Sequence, residues 1–320
     1  MKLFTLSAVA ASLAFSAAAM AAYPDRPIKL IVPAAAGGNS DGTMRIIAQE
    51  MSKALGQQVV VDNRTGAGGR IGSELIARAA PDGYTIGYAH VGTLVINRHL
   101  FRKLSYDPAK DFAFIGTVGM VPNVIVVAAS SPYKTLAELI QAAKKDPEKL
   151  TMASADAGTS SHVGAALFRA QTGALIRNIP YKATAGATTD LLGGQVDSLT
   201  ENLPPFMSLI QSGKVRALAV TTSRRAAQLP QVPTVAESGF PNYEQSAWGG
   251  LVAPAGTPRD IIDKLNHTLN TILKSAELRK AFEERSLEPL TGTPEDLGAL
   301  AQRESPKWEA VIKAAGVQLD

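Results

Sequence analysis

The chain has 320 residues, 46% of them hydrophobic and 19% charged, with a formal net charge of +4, four histidines and no cysteine. Without thiols there are no disulfides, thiolate nucleophiles or cysteine-ligated metals. Four histidines are too few to suggest a histidine-rich metal site, and a charge this small and dispersed argues against a nucleic-acid partner.

Met1-Lys2, an apolar and small-residue run to Ala19, and then Ala19-Met20-Ala21 have the pattern of a secretory signal with its cleavage site. The run is too short and alanine-rich for a good membrane anchor, and a chain without cysteine cannot be lipid-anchored at this site. A signal peptide over residues 1–21 is therefore expected, followed by a soluble mature chain long enough for two domains of ordinary size.

Ile28–Val32 reads as a buried strand stopped by Pro33. Ala34–Asp41 is a small-residue loop, and Met44, Ile47, Ala48, Met51 and Leu55 recur at helical spacing up to Gly56. Glycines in such a loop let a ligand approach the backbone, and Asn39, Ser40 or Asp41 can cap the helix. No Lys-Ser/Thr pair follows at phosphate-loop spacing, which excludes that motif. Val59–Val61 is a second strand. The glycine run Gly66–Gly72 fails the dinucleotide pattern because Ile71 stands where a glycine is required, so it reads as a crossing into a helix at Ser73–Ala80. Tyr84–Tyr88 is a third strand, with His90, Val91, Gly92 and Thr93 just past its carboxyl end, where open α/β sheets bind ligands.

Phe112–Ile115 and Val124–Ala128 read as two short strands around Pro122-Asn123, and Leu136–Lys145 as an amphipathic helix. Thr151–Ser154 is a strand, Asp156-Ala157-Gly158 a turn, and Val163, Ala166, Leu167 and Ala170 mark a helix. Thr159, Ser160 and Ser161 thus fall at a helix start, beside unpaired N–H groups and a partial positive charge that can hold a carboxylate or phosphate. The same hydroxyls can equally serve as caps alone. Ile179–Tyr181, the loop Lys182–Gly186 and a helix to Leu192 repeat the strand–loop–helix unit a third time, with Thr184 nearest the helix start. Val196–Thr200 is a strand leading to Glu201-Asn202, and Val215–Val220 is a buried strand. After Trp248–Pro254 the pattern turns helical over Pro258–Leu273, Ala276–Ser286 and Pro294–Ala315. This tail is expected to pack back on the first lobe.

Tyr23–Ile28 followed by Pro33–Asp41, Asn63–Gly69, Pro81–Thr85, Ser154–His162, Val215–Val220, Pro233–Gly239 and Trp248–Leu251 resemble, in order, the tripartite tricarboxylate transporter substrate-binding proteins, or Bug receptors. The likeness covers essentially the whole mature chain. Two places depart from it: Ala34, where members often carry an aromatic, and Thr200-Glu201-Asn202, a more charged strand end than members have.

The resemblance implies an α/β, two-domain periplasmic binding protein of the class II type with its ligand cleft between the domains. Domain 1 would comprise residues 23–122 plus 246–320, and domain 2 residues 123–245. It implies a periplasmic, monomeric receptor, not an enzyme, with no cofactor or metal. Such a receptor would deliver a small organic carboxylate (di- or tricarboxylate, acidic amino acid or aromatic acid) to membrane transporter subunits. By position, Ala35, Ala36, Gly37, Gly38, Asn39 and Asp41 would meet one end of the ligand. Thr159, Ser160, Ser161 and His162 would hold a carboxylate at the other end. Gly92, Thr93, Thr184 and Glu201 complete the candidate site.

A hydrolase is the main competing class, but Ser161 and His162 are adjacent, so their side chains diverge, and there is no G-x-S-x-G elbow. His162 can be a donor at the cleft or a packed helix residue, and Asp41 a cap or a ligand contact. A receptor presenting its ligand to a membrane sensor kinase would need the same cleft and remains an alternative to uptake.

Overall fold

The computed structural model describes residues 23–320, and the expected signal peptide lies outside them. The first three strands β1 (Ile28–Val32), β2 (Val59–Asn63) and β3 (Thr85–His90) alternate with α1 (Asn39–Leu55) and α2 (Arg70–Ala77). β1 lies between β2 and β3, parallel to both. Its near-continuous apolar run suits a strand covered on both faces. Met44, Ile47, Ala48 and Met51 form the buried stripe of α1, which ends at Gly56 in the left-handed conformation, φ 69°.

Past β3 the chain stays helical, through a π-turn at Gly92–Ile96 into α3 (Asn97–Leu100). Leu94, Val95 and Ile96 are all buried, so the segment has no amphipathic period by which sequence could reveal a helix. A second difference is larger. Phe112–Ile115 and Val124–Ala128 are not two strands but the ends of one, the seventeen-residue β4 (Phe112–Ala128). Pro122 survives in its middle because the strand changes neighbours there. Residues up to Pro122 pair with two partners and those from Asn123 with two others, so the missing N–H falls at a break in the ladder. The Pro122 carbonyl accepts the Leu203 N–H at 2.9 Å.

α4 (Leu136–Lys145) then leads to the second series: β5 (Thr151–Ser154), α5 (Ser160–Thr172), β6 (Arg177–Pro180), α6 (Thr184–Leu192), β7 (Ser198–Asn202), α7 (Met207–Gln211) and β8 (Val215–Val220). β9 (Ser246–Pro254) returns to run antiparallel between β3 and β4. From sequence this stretch showed no strand, because Gly249-Gly250 dilutes the pattern. Both glycines are needed: a Cβ at 249 would strike the Tyr88 ring, and one at 250 the Gly116 carbonyl and Leu297. The tail is α8 (Arg259–Lys274), α9 (Ala276–Glu283), the two-residue β10 (Glu288–Pro289) and α10 (Pro294–Ala315).

The strand order is β2-β1-β3-β9-β4-β7-β5-β6, with β10 and β8 also on β4. β4 thus joins two lobes, one built on β1–β3 and β9, the other on β5–β8. Each lobe has a core of its own. A third core, holding Phe168, Leu167, Trp308 and Ile312, runs between them. α8 packs on α1 and β4. α10 goes further, packing on the Gly92–Leu100 helical segment, on β4 and also on α5 of the second lobe.

Candidate functional site

A cavity of about 680 Å³ opens between the lobes, at the carboxyl ends of the parallel strands of both. Parallel strands feeding helices put loops and helix starts at that end. Three helix starts reach its wall: α1 through Pro33–Ser40, α5 through Thr159–Ser161 and α6 through Lys182–Ala185. Each first turn carries N–H groups without an intrahelical acceptor, and α1 and α6 have no side-chain cap. The cavity therefore presents converging backbone donors and partial positive charge, a surface suited to an anion.

The α5 start is the most polar part of the wall. Thr159 is its N-cap, its hydroxyl accepting the His162 N–H at 3.3 Å and donating to the Asp156 carbonyl at 2.7 Å. Ser161, 1% exposed, accepts the Ala155 N–H and donates to Glu201 Oε2, both at 3.3 Å. The Ser160 carbonyl accepts Gln245 Nε2 at 3.0 Å; among the described residues its hydroxyl makes no hydrogen bond. Burial pushes the Glu201 carboxyl up to about 7, only partly offset by its Asn202 N–H and Ser161 bonds.

At the α1 start Gly38 is the N-cap, and Ala35, Ala36, Gly37, Gly38 and Asn39 all lie on the cavity wall. Asp41 does not. It is buried at the third helical position, where Oδ2 accepts the Gly37 N–H at 2.8 Å and Arg45 Nε at 3.0 Å. Burial alone would raise its pKa, but the Arg45 and Gly37 bonds outweigh it and hold the carboxyl below its usual range. Asp41 thus shapes the loop from behind.

Three other expected contacts also stand off the wall. The Thr93 hydroxyl is spent on His90, accepting its N–H at 3.0 Å and donating to its carbonyl at 3.1 Å. Gly92 makes room: a Cβ there would lie 2.6 Å from the Gly158 carbonyl and 2.7 Å from the His90 ring. His162, on the far side of its helix turn from Ser161, lines a separate groove of about 470 Å³ between α5 and the end of α10. Thr184 and Glu201 do line the main cavity.

Several wall residues went unmarked in the sequence. Thr65, Gly66, Gly68 and Gly69 belong to the glycine run that fails the dinucleotide pattern, and Trp248 to the strand masked by its glycines. Lys182, Asp156, His90 and Tyr88 are the other charged or titratable side chains of the wall among the described residues. His90 Nδ1 accepts the Gly92 N–H at 3.1 Å, which leaves the proton on Nε2. Burial pushes its pKa down to about 4, so it stays a neutral donor at physiological pH. Among the described residues no cluster of three or more His, Asp or Glu could hold a metal ion.

The family model described as "Tripartite tricarboxylate transporter family receptor" matches residues 43–317. Protein BugT of Bordetella pertussis is 37% identical over 298 residues, covering 93% of this chain and 91% of that protein. Among solved structures, R. palustris Rpa4515 with adipate superposes with a TM-score of 0.87 at 37% identity, over 92% of this chain and 99% of that one. MatC (Rpa3494) from Rhodopseudomonas palustris with bound malate gives 0.84 at 32% identity, over 91% and 100%.

Proposed function

Because the chain belongs to the tripartite tricarboxylate transporter receptor family, we propose that it is a periplasmic receptor that captures a small organic carboxylate between its lobes. It then delivers the ligand to ion-driven membrane transporter subunits. The observation that carries this reading is the convergence of the α1, α5 and α6 starts on one cavity shared by both lobes. Adipate and malate in two relatives of the same fold support a carboxylate as the ligand class.

In this reading the ligand lies between Ala35–Asn39 on one side and Thr159, Ser160, Ser161, Thr184 and Glu201 on the other. Asp41, Gly92, Thr93 and His162 support these loops from outside the wall. The lobes are residues 23–122 with 246–320, and 123–245. They close on the ligand, because each contributes only part of the donor set and the closed form gains contacts to both. The mature protein, released from its signal peptide, acts as a monomer.

Calorimetric titration of the mature protein with adipate, malate, glutamate and benzoate tests the reading, with small-angle scattering of the saturated sample to follow compaction. Ser160→Ala should weaken binding about tenfold to a hundredfold if its free hydroxyl donates to a ligand carboxylate. If the hydroxyl makes no ligand contact, affinity holds and stability changes little, because Thr159 and not Ser160 caps the helix. Failure of all four acids to bind refutes a carboxylate receptor.

A further inference from the structure

Glu201 is out of place in a cavity built to attract anions. It lies next to the end of β7 on the cavity wall, 5% exposed, with Ser161 Oγ as its side-chain partner at 3.3 Å and its own neighbour's N–H, Asn202, at 2.7 Å. Among the described residues no cation forms an ion pair with it. Lys182 shares the wall but is exposed and forms no ion pair with it among the described residues. His90 is held neutral by burial, and Asp156 adds a second carboxyl to the same wall.

The elements packed on β7 supply no compensating charge. β4 and β5 have no titratable residue. On α5, His162 faces the other groove and Arg169 bonds Glu148. On α6, Asp190 accepts the Tyr181 hydroxyl at 2.6 Å. At the far end of the strand Asp197 accepts the Thr151 N–H and hydroxyl.

Ser161 has one proton to give. While Glu201 is ionised, that proton points at Oε2, and the hydroxyl offers an approaching carboxylate only a lone pair. With Glu201 protonated, the carboxyl O–H donates to Ser161 Oγ and the serine O–H is released from Oε2, to turn to the ligand or, in its absence, to Thr159 Oγ1 at 3.2 Å. We infer that Glu201 enters the ligand complex protonated, so that capture of a dicarboxylate takes one proton from solvent and makes Ser161 a donor to the bound carboxylate. This inference rests on the carboxylate-receptor reading above. Burial has already brought the unliganded carboxyl to about 7, and a ligand carboxylate beside it raises it further, as like charges do.

The consequence is a pH-dependent affinity. Adipate and malate are fully ionised above about pH 6. Their affinity should be level between about pH 6 and 6.5, then fall by close to tenfold per pH unit above about 7. Calorimetry at pH 8 in buffers of different ionisation enthalpy should show uptake approaching one proton per ligand. Glu201→Gln, whose carboxamide still donates to Ser161, should abolish both the uptake and the pH slope. A carbon-13 carboxyl NMR titration of the unmutated, unliganded protein should place the Glu201 midpoint near 7 and move it upward on saturation.

Binding of adipate or malate without proton uptake at pH 8 overturns the inference while leaving the receptor reading intact. So does a Glu201 midpoint in the ordinary glutamate range. Preferential binding of glutamate without uptake also overturns it, because an ionised Glu201 would then be pairing with the ligand ammonium. If no carboxylate binds at pH 6, the receptor reading fails and the inference falls with it.

Discussion

Two helix starts face the cavity from opposite lobes, and they are made differently. The α1 start is glycine and alanine, uncapped by any side chain, with its carboxylate, Asp41, turned away behind the loop. The α5 start is hydroxyl-rich and buried, and is tied to Glu201 and Gln245. A loop that offers only backbone N–H groups accepts any ligand end of the right charge. A loop in which the Thr159 and Ser161 hydroxyls are already committed, and only that of Ser160 is open, favours a ligand that fits or rearranges those commitments. Under the receptor reading proposed above, the contrast would assign charge recognition to both ends and chemical discrimination to the α5 end.

The largest test of that contrast is Ser160→Pro. Thr159 before it is extended, φ −81° and ψ 163°, which suits the residue preceding a proline, and proline is well tolerated at the first helical position. The substitution removes one N–H and one hydroxyl from the α5 start with little disturbance of the helix. Affinity for a bound carboxylate should fall by about a hundredfold, with the thermal midpoint little changed. An unchanged affinity would break the assignment.

A middle-sized effect is expected from Asp41→Asn, read in stability instead of binding. The carboxyl of Asp41 is depressed in the folded state. Its stabilisation is therefore present at neutral pH and is lost as pH falls through the folded value. Chemical denaturation should show the variant about 1 kcal/mol less stable at pH 7, with the gap closing in acid. A gap that persists at low pH would mean that the Arg45 and Gly37 bonds do not depend on its charge.

The smallest effect is expected from Asn39→Ala. The α1 start offers backbone donors, so losing this side chain should change carboxylate affinity less than about threefold. A tenfold loss by titration would show side-chain recognition at both ends and dissolve the contrast.

Where local pattern and tertiary role agreed, the sequence was legible. The Thr159–Ser161 cluster reads as a helix start because a strand, a turn and a helical period frame it, and the same frame sets it on the cavity. Elsewhere the reason for a residue lay in a distant partner. The two glycines in β9 weaken its strand pattern because they answer to Tyr88 and Leu297. Pro122 looks like a strand terminator and instead sits at a change of neighbours. Gly92 and Thr93 lie at the right sheet edge, yet their roles are fixed by Gly158 and His90. His162 follows the serines directly, and the helical turn carries it to the opposite face. One-dimensional spacing predicts which edge a residue reaches, but not which way it faces there.

β4 has a further consequence, for the way the molecule comes apart. It is a member of both lobes, laddered to β9 and β10 in its first part and to β7 and β8 in its second. Two-lobed chains often melt in separate steps, each lobe keeping its own integrity. Here, unravelling either lobe strips half the pairing from a strand that the other lobe requires at its centre. Neither half can be cut out as an independent folding unit, and the pair should unfold as one cooperative body.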